Sequence, residues 1–229
     1  MHGHTSYIRR QVHKIYRKNM RVLVACEYSG AVRDQFIRLG HDAMSCDLLP
    51  TDVPGPHYEG DVFDIIKDGW DMMIAFPPCT HLALSGAMHF EKKRADGRQQ
   101  EGLDFVKKLM LAPIDKIAIE NPMGIISSHI RPYDQIIQPY EFGDSFQKST
   151  CLWLKNLPLL VPTDIVAKGE FFEWTDKKTG KIKKQPLWYY EALSKGKDRW
   201  KIRSQTFPGI AKAMAQQWTQ PGIIQSKLF

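Results

Sequence analysis

The chain has no CxxC pair. Its four cysteines, Cys26, Cys46, Cys79 and Cys151, are too dispersed for a zinc knuckle, so no metal is expected. No apolar run approaches the ~18 uninterrupted residues of a membrane span, so no membrane partner is expected either. Neither GxGxxG nor GxxxxGK[ST] occurs, which argues against a dinucleotide or nucleoside triphosphate site. Acid is missing from residues 1–21, which hold six Lys/Arg and no apolar segment; such an N-terminus is not a secretory leader. Reduced thiols in a cytoplasmic protein are the expectation. There is no internal repeat.

What is present is an ordinary globular balance, 43% hydrophobic and 25% charged over 229 residues, enough for one sizeable core and a small appendage. The net charge is +7 and unevenly placed. Residues 168–203 carry eleven Lys/Arg against five Asp/Glu, so the remainder outside this stretch and the N-terminus sums to about −5. Basic, aromatic-laced ends around a more acidic centre suit a polyanion partner; a solvated surface with a basic tail has the same composition.

Strand and helix patterns alternate. Arg21–Cys26 is short, apolar and β-branched, hence a buried strand. Val32, Phe36 and Leu39 recur at helical spacing and Gly40 stops the helix. Strands follow at 42–46, 72–75 and 116–119, with a strand-like piece at 58–63 and a helix near 99–111. The alternation predicts an α/β fold with a doubly wound, mainly parallel sheet. The polar stretch 83–100 is long for a strand-to-helix connection and reads as a lid or a disordered loop. Residues 141–161 read as strand, turn, strand. Phe171–Trp174 and Leu187–Tyr190 flank a hairpin turn at Asp176–Lys181, and residues 207–215 open a final amphipathic helix. Four units result: a basic extension, 1–19; a catalytic domain, 20–163; a small basic and aromatic insertion, 164–203; and a C-terminal helix packing back, 204–229.

Two apolar strands deliver chemistry at their ends. Met72–Ala75 runs into Phe76-Pro77-Pro78-Cys79-Thr80, and Ile117–Ile119 runs into Glu120-Asn121-Pro122. A thiol and a carboxylate thus reach the crevice where open α/β sheets bind ligands. An attacking thiol beside a proton-handling acid is the equipment of covalent catalysis on a pyrimidine. An inert packing cysteine is the plain alternative for Cys79, as it is the better reading for Cys46 and Cys151. Tyr28-Ser29-Gly30 forms the turn after the first strand, where Gly30 would let the backbone approach a ligand and the helix start would offer free N–H donors. Asp47 ends the second strand, placed for ribose hydroxyls, and Asp61 follows the third piece, placed for an adenine amino group.

The order of these pieces resembles the DNA cytosine methyltransferases that methylate carbon 5 using S-adenosylmethionine. Cys26-Glu27-Tyr28-Ser29-Gly30 resembles their cofactor turn, and Phe76-Pro77-Pro78-Cys79 with Ser85-Gly86 their Pro-Cys nucleophile segment. Glu120-Asn121-Pro122 resembles their Glu-Asn-Val segment. Phe142-Gly143 through Lys148, Thr150 and Trp153 resembles their Gln-x-Arg-x-Arg strand, and Pro208–Ala211 their final motif. The resemblance spans residues 21–165 and 203–218. It implies a Rossmann-like methyltransferase sheet, S-adenosylmethionine as cofactor, and DNA as partner. Cys79, Glu120 and Asn121 would be catalytic. Tyr28, Ser29, Gly30, Asp47, Asp61 and Pro77 would face the cofactor, and Pro78, Pro122, Lys148 and Thr150 the substrate. Small proteins of this make-up occur in phage and prophage genomes, which implies the cytoplasm of a bacterial or phage-infected cell.

Departures from the family pattern bear on recognition. Cys26 stands where an acid usually opens the first motif, Thr80 where Gln follows the nucleophile, and Lys148 and Thr150 where arginines are expected. The target-reading region is only about residues 164–203, which favours single-stranded DNA or little sequence specificity. Trp174, Trp188 and Trp200 beside Lys177, Lys178, Lys181, Lys183 and Lys184 read as a base-stacking platform or as a mini-core. Competing readings are the same chemistry on a free pyrimidine nucleotide, a non-catalytic methyltransferase-like module that binds nucleic acid, and a thiol hydrolase using His81.

Overall fold

A computed structural model of the chain describes residues 19–193, 196 and 199–219. The basic extension, apart from Asn19, lies outside the described residues, as do Lys195, Lys197 and Asp198, the side chain of Trp200, and residues 220–229.

The sheet is built from the apolar runs. β1 (Arg21–Ala25), β2 (Asp42–Asp47), β3 (His57–Glu59), β4 (Met72–Ala75), β5 (Lys116–Pro122), β6 (Gln135–Ile137) and β7 (Thr150–Lys155) form one seven-stranded sheet in the order β3-β2-β1-β4-β5-β7-β6. Strands β1 to β5 pair in parallel, whereas β7 runs antiparallel between β5 and β6. Val22–Ala25 and Met72–Ala75 are wholly buried because both faces of a parallel sheet are covered. Alternate residues feed two cores. Leu23, Met73, Ile117 and Ile119 lie on the face covered by Leu103, Val106 and Leu109 of a long helix (Arg98–Met110). Val22, Val24, Met72, Ile74 and Ala118 lie on the other, under Phe36 of α1 (Ala31–Arg38) and Ile210, Ala211 and Met214 of the last helix (Pro208–Thr219). The fold is therefore the doubly wound, mainly parallel Rossmann-like sheet expected.

Six local readings change. Residues 141–149 hold a 3-10 turn end, one bridge residue and loop, so only the second strand of 141–161 forms. The second hairpin strand is Ile182–Pro186, and Leu187–Tyr190 opens a helix. β1 stops at Ala25, because Cys26 turns the chain with φ 58°. The 58–63 piece is a strand only to Glu59; Asp61 then caps α2 (Val62–Ile65) by accepting from the Phe63 N–H at 3.0 Å. β5 continues through Glu120, Asn121 and Pro122, because antiparallel β7 pairs with it up to Pro122 opposite Thr150. The 83–100 stretch is folded, as a 3-10 turn (Leu84–His89), α3 (Phe90–Ala95) and the start of α4 (Arg98–Met110). Ala83, Phe90, Lys93 and Gln99 are all buried there, so the segment packs instead of forming a loose lid.

After α5 (Ile126–His129), the insertion adds a separate two-stranded sheet of β8 (Phe171–Thr175) and β9 (Ile182–Pro186), followed by α6 (Leu187–Leu193) and α7 (Arg199–Ser204); Pro208–Thr219 is α8. Asp176 closes the hairpin, accepting from the Lys178 and Thr179 N–H groups. Trp188 anchors the insertion to the main core. Its indole N–H donates to Gln147 O at 3.2 Å, and its ring meets Phe146 and Phe207 edge-on, with centroids at 6.1 and 5.8 Å. Trp174 and Phe172 instead stack within the hairpin, and Phe172 stacks on Tyr190 at 3.8 Å. Trp188→Ala, a half-buried truncation, is expected to lower stability by about 2 kcal/mol. It should also make residues 164–203 the first segment cut in limited proteolysis, read by urea titration and mass spectrometry.

Candidate functional site

Strands β1 to β4 end together, and the strand order reverses between β1 and β4, so the crevice there is the natural ligand site. Its first wall is the turn after β1. Glu27, 4% exposed, accepts from the Val32 N–H at 2.7 Å and the Arg33 N–H at 3.2 Å, and the Ala31 N–H donates to Ser29 Oγ at 3.3 Å. The start of α1 is thus capped by the protein itself; its N–H groups are not free donors, contrary to the sequence reading. A phosphate has no cradle here, whereas a cofactor without phosphate is not excluded by this cap. Burial pushes the Glu27 carboxyl up to about 7, against the opposing N–H bonds and the Arg33 charge.

Gly30, with φ 72°, is needed for a different reason from the one expected. A Cβ there would lie 2.5 Å from Arg33 Nη2 and 2.7 Å from Val53 Cγ2, so the space above it belongs to the protein. Arg33 is fully buried. Its guanidinium donates to Asp34, to Ser45 Oγ and Thr51 Oγ1, and to the carbonyls of Val53, Pro54 and Pro56, which folds the proline-rich loop against the turn. The Asp52 N–H adds a bond to Tyr28 O at 2.9 Å. Tyr28 and Ser29 remain half-buried on this wall. Asp47 stands half-buried at the end of β2, its carboxyl raised by burial although it accepts from the Leu49 N–H at 3.0 Å.

The second wall joins the thiol and the acid. Ala75 and Ile119 are neighbours in parallel register, so β4 and β5 leave the sheet side by side. Asn121, 1% exposed, donates from Nδ2 to Pro77 O at 2.8 Å and ties the two ends together. Main-chain bonds extend the tie: Leu84 N to Met123 O, Ile125 N to Leu82 O, and Leu82 N and Ala83 N to Cys79 O. Pro77 is buried in this joint, while Pro78 and Cys79 are exposed beside it. Glu120, on the α8 side of the sheet, lines a narrow cleft with Phe76, Lys148, Thr150, Thr206 and Phe207. Pro122 is half-buried at the end of β5.

Electrostatics couple these groups. Loss of water raises the Cys79 thiol, the Glu120 charge raises it further, and Lys148 and Arg203 act in the opposite direction. Burial raises the Glu120 carboxyl, opposed by Lys148 and by a hydrogen bond with Thr150. Thr150, 3% exposed, places its hydroxyl between Lys148 O, 3.2 Å away, and the Glu120 carboxyl, whose ionised form a bond from that hydroxyl favours. Lys148 Nζ donates to Gln205 O at 3.1 Å and lies over the Phe207 ring. Such a site shifts the acid toward its protonated form and balances the thiol between one carboxyl and two cations.

Four functional candidates escape the sequence reading. Glu27 takes the strand-end acid position one residue after Cys26, and an acid ahead of a helix start was the signal for it. Arg33 and Lys93 are buried, against the usual place of their residue types. Arg203, from α7, carries no mark that separates it from the other cations of 168–203. Cys46 and Cys151 are core residues, each 1% exposed. His81 has a buried Nδ1 without a hydrogen-bond partner, and among the described residues no group of three or more His, Cys, Asp or Glu is placed to hold a metal ion. No described helix is long and apolar enough to cross a membrane. A larger cavity, about 650 Å³, lies beside Ile117, Trp153 and Lys155 and shares no residue with the cleft.

No protein-family description matches the chain, and no curated protein matches it. Solved structures resemble it in fold. The Entamoeba histolytica methyltransferase EhMeth is 15% identical over 65% of this chain and 58% of that chain, with a TM-score of 0.46. An rRNA methylase from Escherichia coli is 11% identical over 65% and 62%, with a TM-score of 0.34. The glycopeptide N-methyltransferase MtfA complexed with (S)-adenosyl-L-homocysteine is 15% identical over 83% and 77%, with a TM-score of 0.29. The chain thus spans less than two thirds of the first two.

Two outcomes test the electrostatics. Folded Glu27 holds its proton up to about pH 7, whereas an unfolded glutamate loses it near ~4.3. The stabilisation from its protonated form is complete below the lower value and is lost as pH rises through the upper. Between pH 4 and 8, wild type should therefore lose roughly 3 kcal/mol relative to Glu27→Gln, measured by urea titration. At Cys79, Glu120→Gln should lower the thiol pKa and speed alkylation by iodoacetamide at pH 7.5 several-fold, and Lys148→Met should slow it. Peptide mass spectrometry reads both.

Proposed function

We propose that this chain is an S-adenosylmethionine-dependent methyltransferase acting on carbon 5 of cytosine in DNA through a covalent adduct with Cys79. The observation that carries the reading is the Asn121 to Pro77 tie, which holds an exposed thiol and a carboxyl raised by burial at one sheet end. Carbon 5 is a poor nucleophile in an electron-deficient ring. Attack by the Cys79 thiolate forms a carbon–sulfur bond at carbon 6, and the ring's double-bond electrons make carbon 5 nucleophilic. Glu120 donates its proton toward ring nitrogen 3 as negative charge develops there, which a raised carboxyl does well near neutrality. Asn121 and Pro122 fix the strand end, and Pro78, Lys148 and Thr150 border the base. S-adenosylmethionine, when bound, supplies an electrophilic methyl group to carbon 5. Tyr28, Ser29, Asp47, Asp61 and Pro77 would hold it, with Gly30 giving way to Arg33 and Val53, and the self-capped α1 suits a cofactor that brings no phosphate. Loss of the carbon 5 proton to a base then releases the sulfur from carbon 6.

DNA is favoured over a free nucleotide by the hairpin. Lys177, Lys178, Lys181, Lys183 and Lys184 sit on or between β8 and β9, beside the exposed Trp174. Lys183 pairs with Asp176 and Lys184 lies over the Phe171 ring, so the strands present cations and ring faces together. A base must leave a duplex or arrive single-stranded to meet Cys79, and so small a platform suits the latter.

Labelled methyl groups should pass from S-adenosylmethionine to cytosine-containing DNA, with a steep fall in binding as salt rises. Cys79→Ser should abolish transfer, and Glu120→Gln should slow it by about 10²–10⁴. DNA bearing 5-fluorocytosine should give a protein–DNA adduct at Cys79 by mass spectrometry. No incorporation into any DNA by wild type would overturn the proposal; labelling of free cytidine nucleotides alone would move the same chemistry to that substrate.

A further inference from the structure

The segment after the nucleophile is held carbonyl by carbonyl. Cys79 O accepts from the Leu82 and Ala83 N–H groups, His81 O from Gln99 Nε2 at 3.4 Å, and Leu82 O from the Ile125 N–H. The remaining carbonyl, Thr80 O, accepts from Lys93 Nζ at 2.6 Å. Lys93 is only 8% exposed, and among the described residues its ammonium has no carboxylate within ion-pair distance. Besides Thr80 it meets the face of the Phe90 ring, 5.8 Å from the centroid. Gly86 closes over it: a Cβ there would stand 3.2 Å from Nζ, so the turn from Thr80 to Gly86 wraps the ammonium.

A neutral donor satisfies the next carbonyl, His81 O, so charge is not required to satisfy Thr80 O. A charge drawn out of water is a weak source of stability, and replacing buried ionic groups by apolar residues of like volume is often neutral or stabilising. The charge-assisted bond is about twice as strong as a neutral one and fixes the peptide next to the thiol. We propose that Lys93 is a positioning residue that locks the Cys79 loop in its attacking geometry, at the expense of global stability. The role in turnover rests on the methyl-transfer reading; the lock itself does not.

Lys93→Met keeps the bulk and removes the charge. Hydrogen exchange of the Leu82 and Ala83 amides, which bond to Cys79 O, should speed about tenfold or more, while thermal stability stays level or rises. The kcat for methyl transfer should fall on the order of tenfold or more with the affinity for S-adenosylmethionine unchanged, because small misplacement of a nucleophile is costly. Lys93→Gln, which retains a donor, should recover part of both effects. Lower thermal stability with unchanged exchange at 79–86 would make Lys93 an ordinary core residue and overturn the proposal. So would unchanged kcat in Lys93→Met if wild type turns over. If wild type shows no methyl transfer but the exchange and the Cys79 alkylation rate both respond to Lys93→Met, the lock stands and the methyltransferase reading falls.

Discussion

One buried hydrogen bond, from the Asn121 amide to the Pro77 carbonyl, is what the rest of the site depends on. Parallel neighbours such as β4 and β5 leave a sheet at the same end, but their loops have no reason to stay together. Pro77 has no N–H and cannot extend the ladder from its own nitrogen, so its carbonyl is the handle by which β5 holds the thiol loop. The amide does this while its own Oδ1 lies buried without a partner. An unsatisfied buried acceptor costs about 1–3 kcal/mol, and such costs concentrate where structure serves chemistry.

The acid and the thiol then set each other's charge. Glu120 is half-buried on the sheet face that α8 covers; loss of water raises its carboxyl, and its charge in turn raises the Cys79 thiol. Lys148 and Arg203 come from separate segments, so the cationic side of the balance assembles only when β7 and α7 are both in place. The Thr150 hydroxyl, between Lys148 O and the Glu120 carboxyl, links the two sides.

The sheet was legible because buried parallel strands are written as short apolar runs, and Val22–Ala25, Met72–Ala75 and Ile117–Ile119 have little else to become. The last helix was legible by its helical spacing, and the hairpin by its Gly-containing turn after Phe171–Trp174, although its second strand is Ile182–Pro186 and the aromatic stretch Leu187–Tyr190 is helical. The thiol and the acid could be picked out by their place beyond those runs. The caps and clamps could not. Glu27 closes a helix start that reads as open, and Arg33 fills the space that Gly30 reads as leaving for a ligand. Both act on partners set by the tertiary path, Arg33 reaching up to 23 positions along the chain. The 83–100 segment misled for the same reason: its polar composition hides the inward turn of Phe90 and Lys93. Asn121 and Pro122 read as a loop because the strand that extends β5 arrives from residues 150–155.

The aromatic joint under the insertion has a mechanical meaning. Trp188 bears on Phe207, and Phe207 is also a wall of the cleft that holds Glu120. Phe207 in turn immediately precedes α8, whose buried face is part of the main core. The hairpin is thus a lever with its fulcrum at the cleft. Any load that tilts it presses on the wall facing the acid, so the seating of the insertion and the shape of the cleft are not independent.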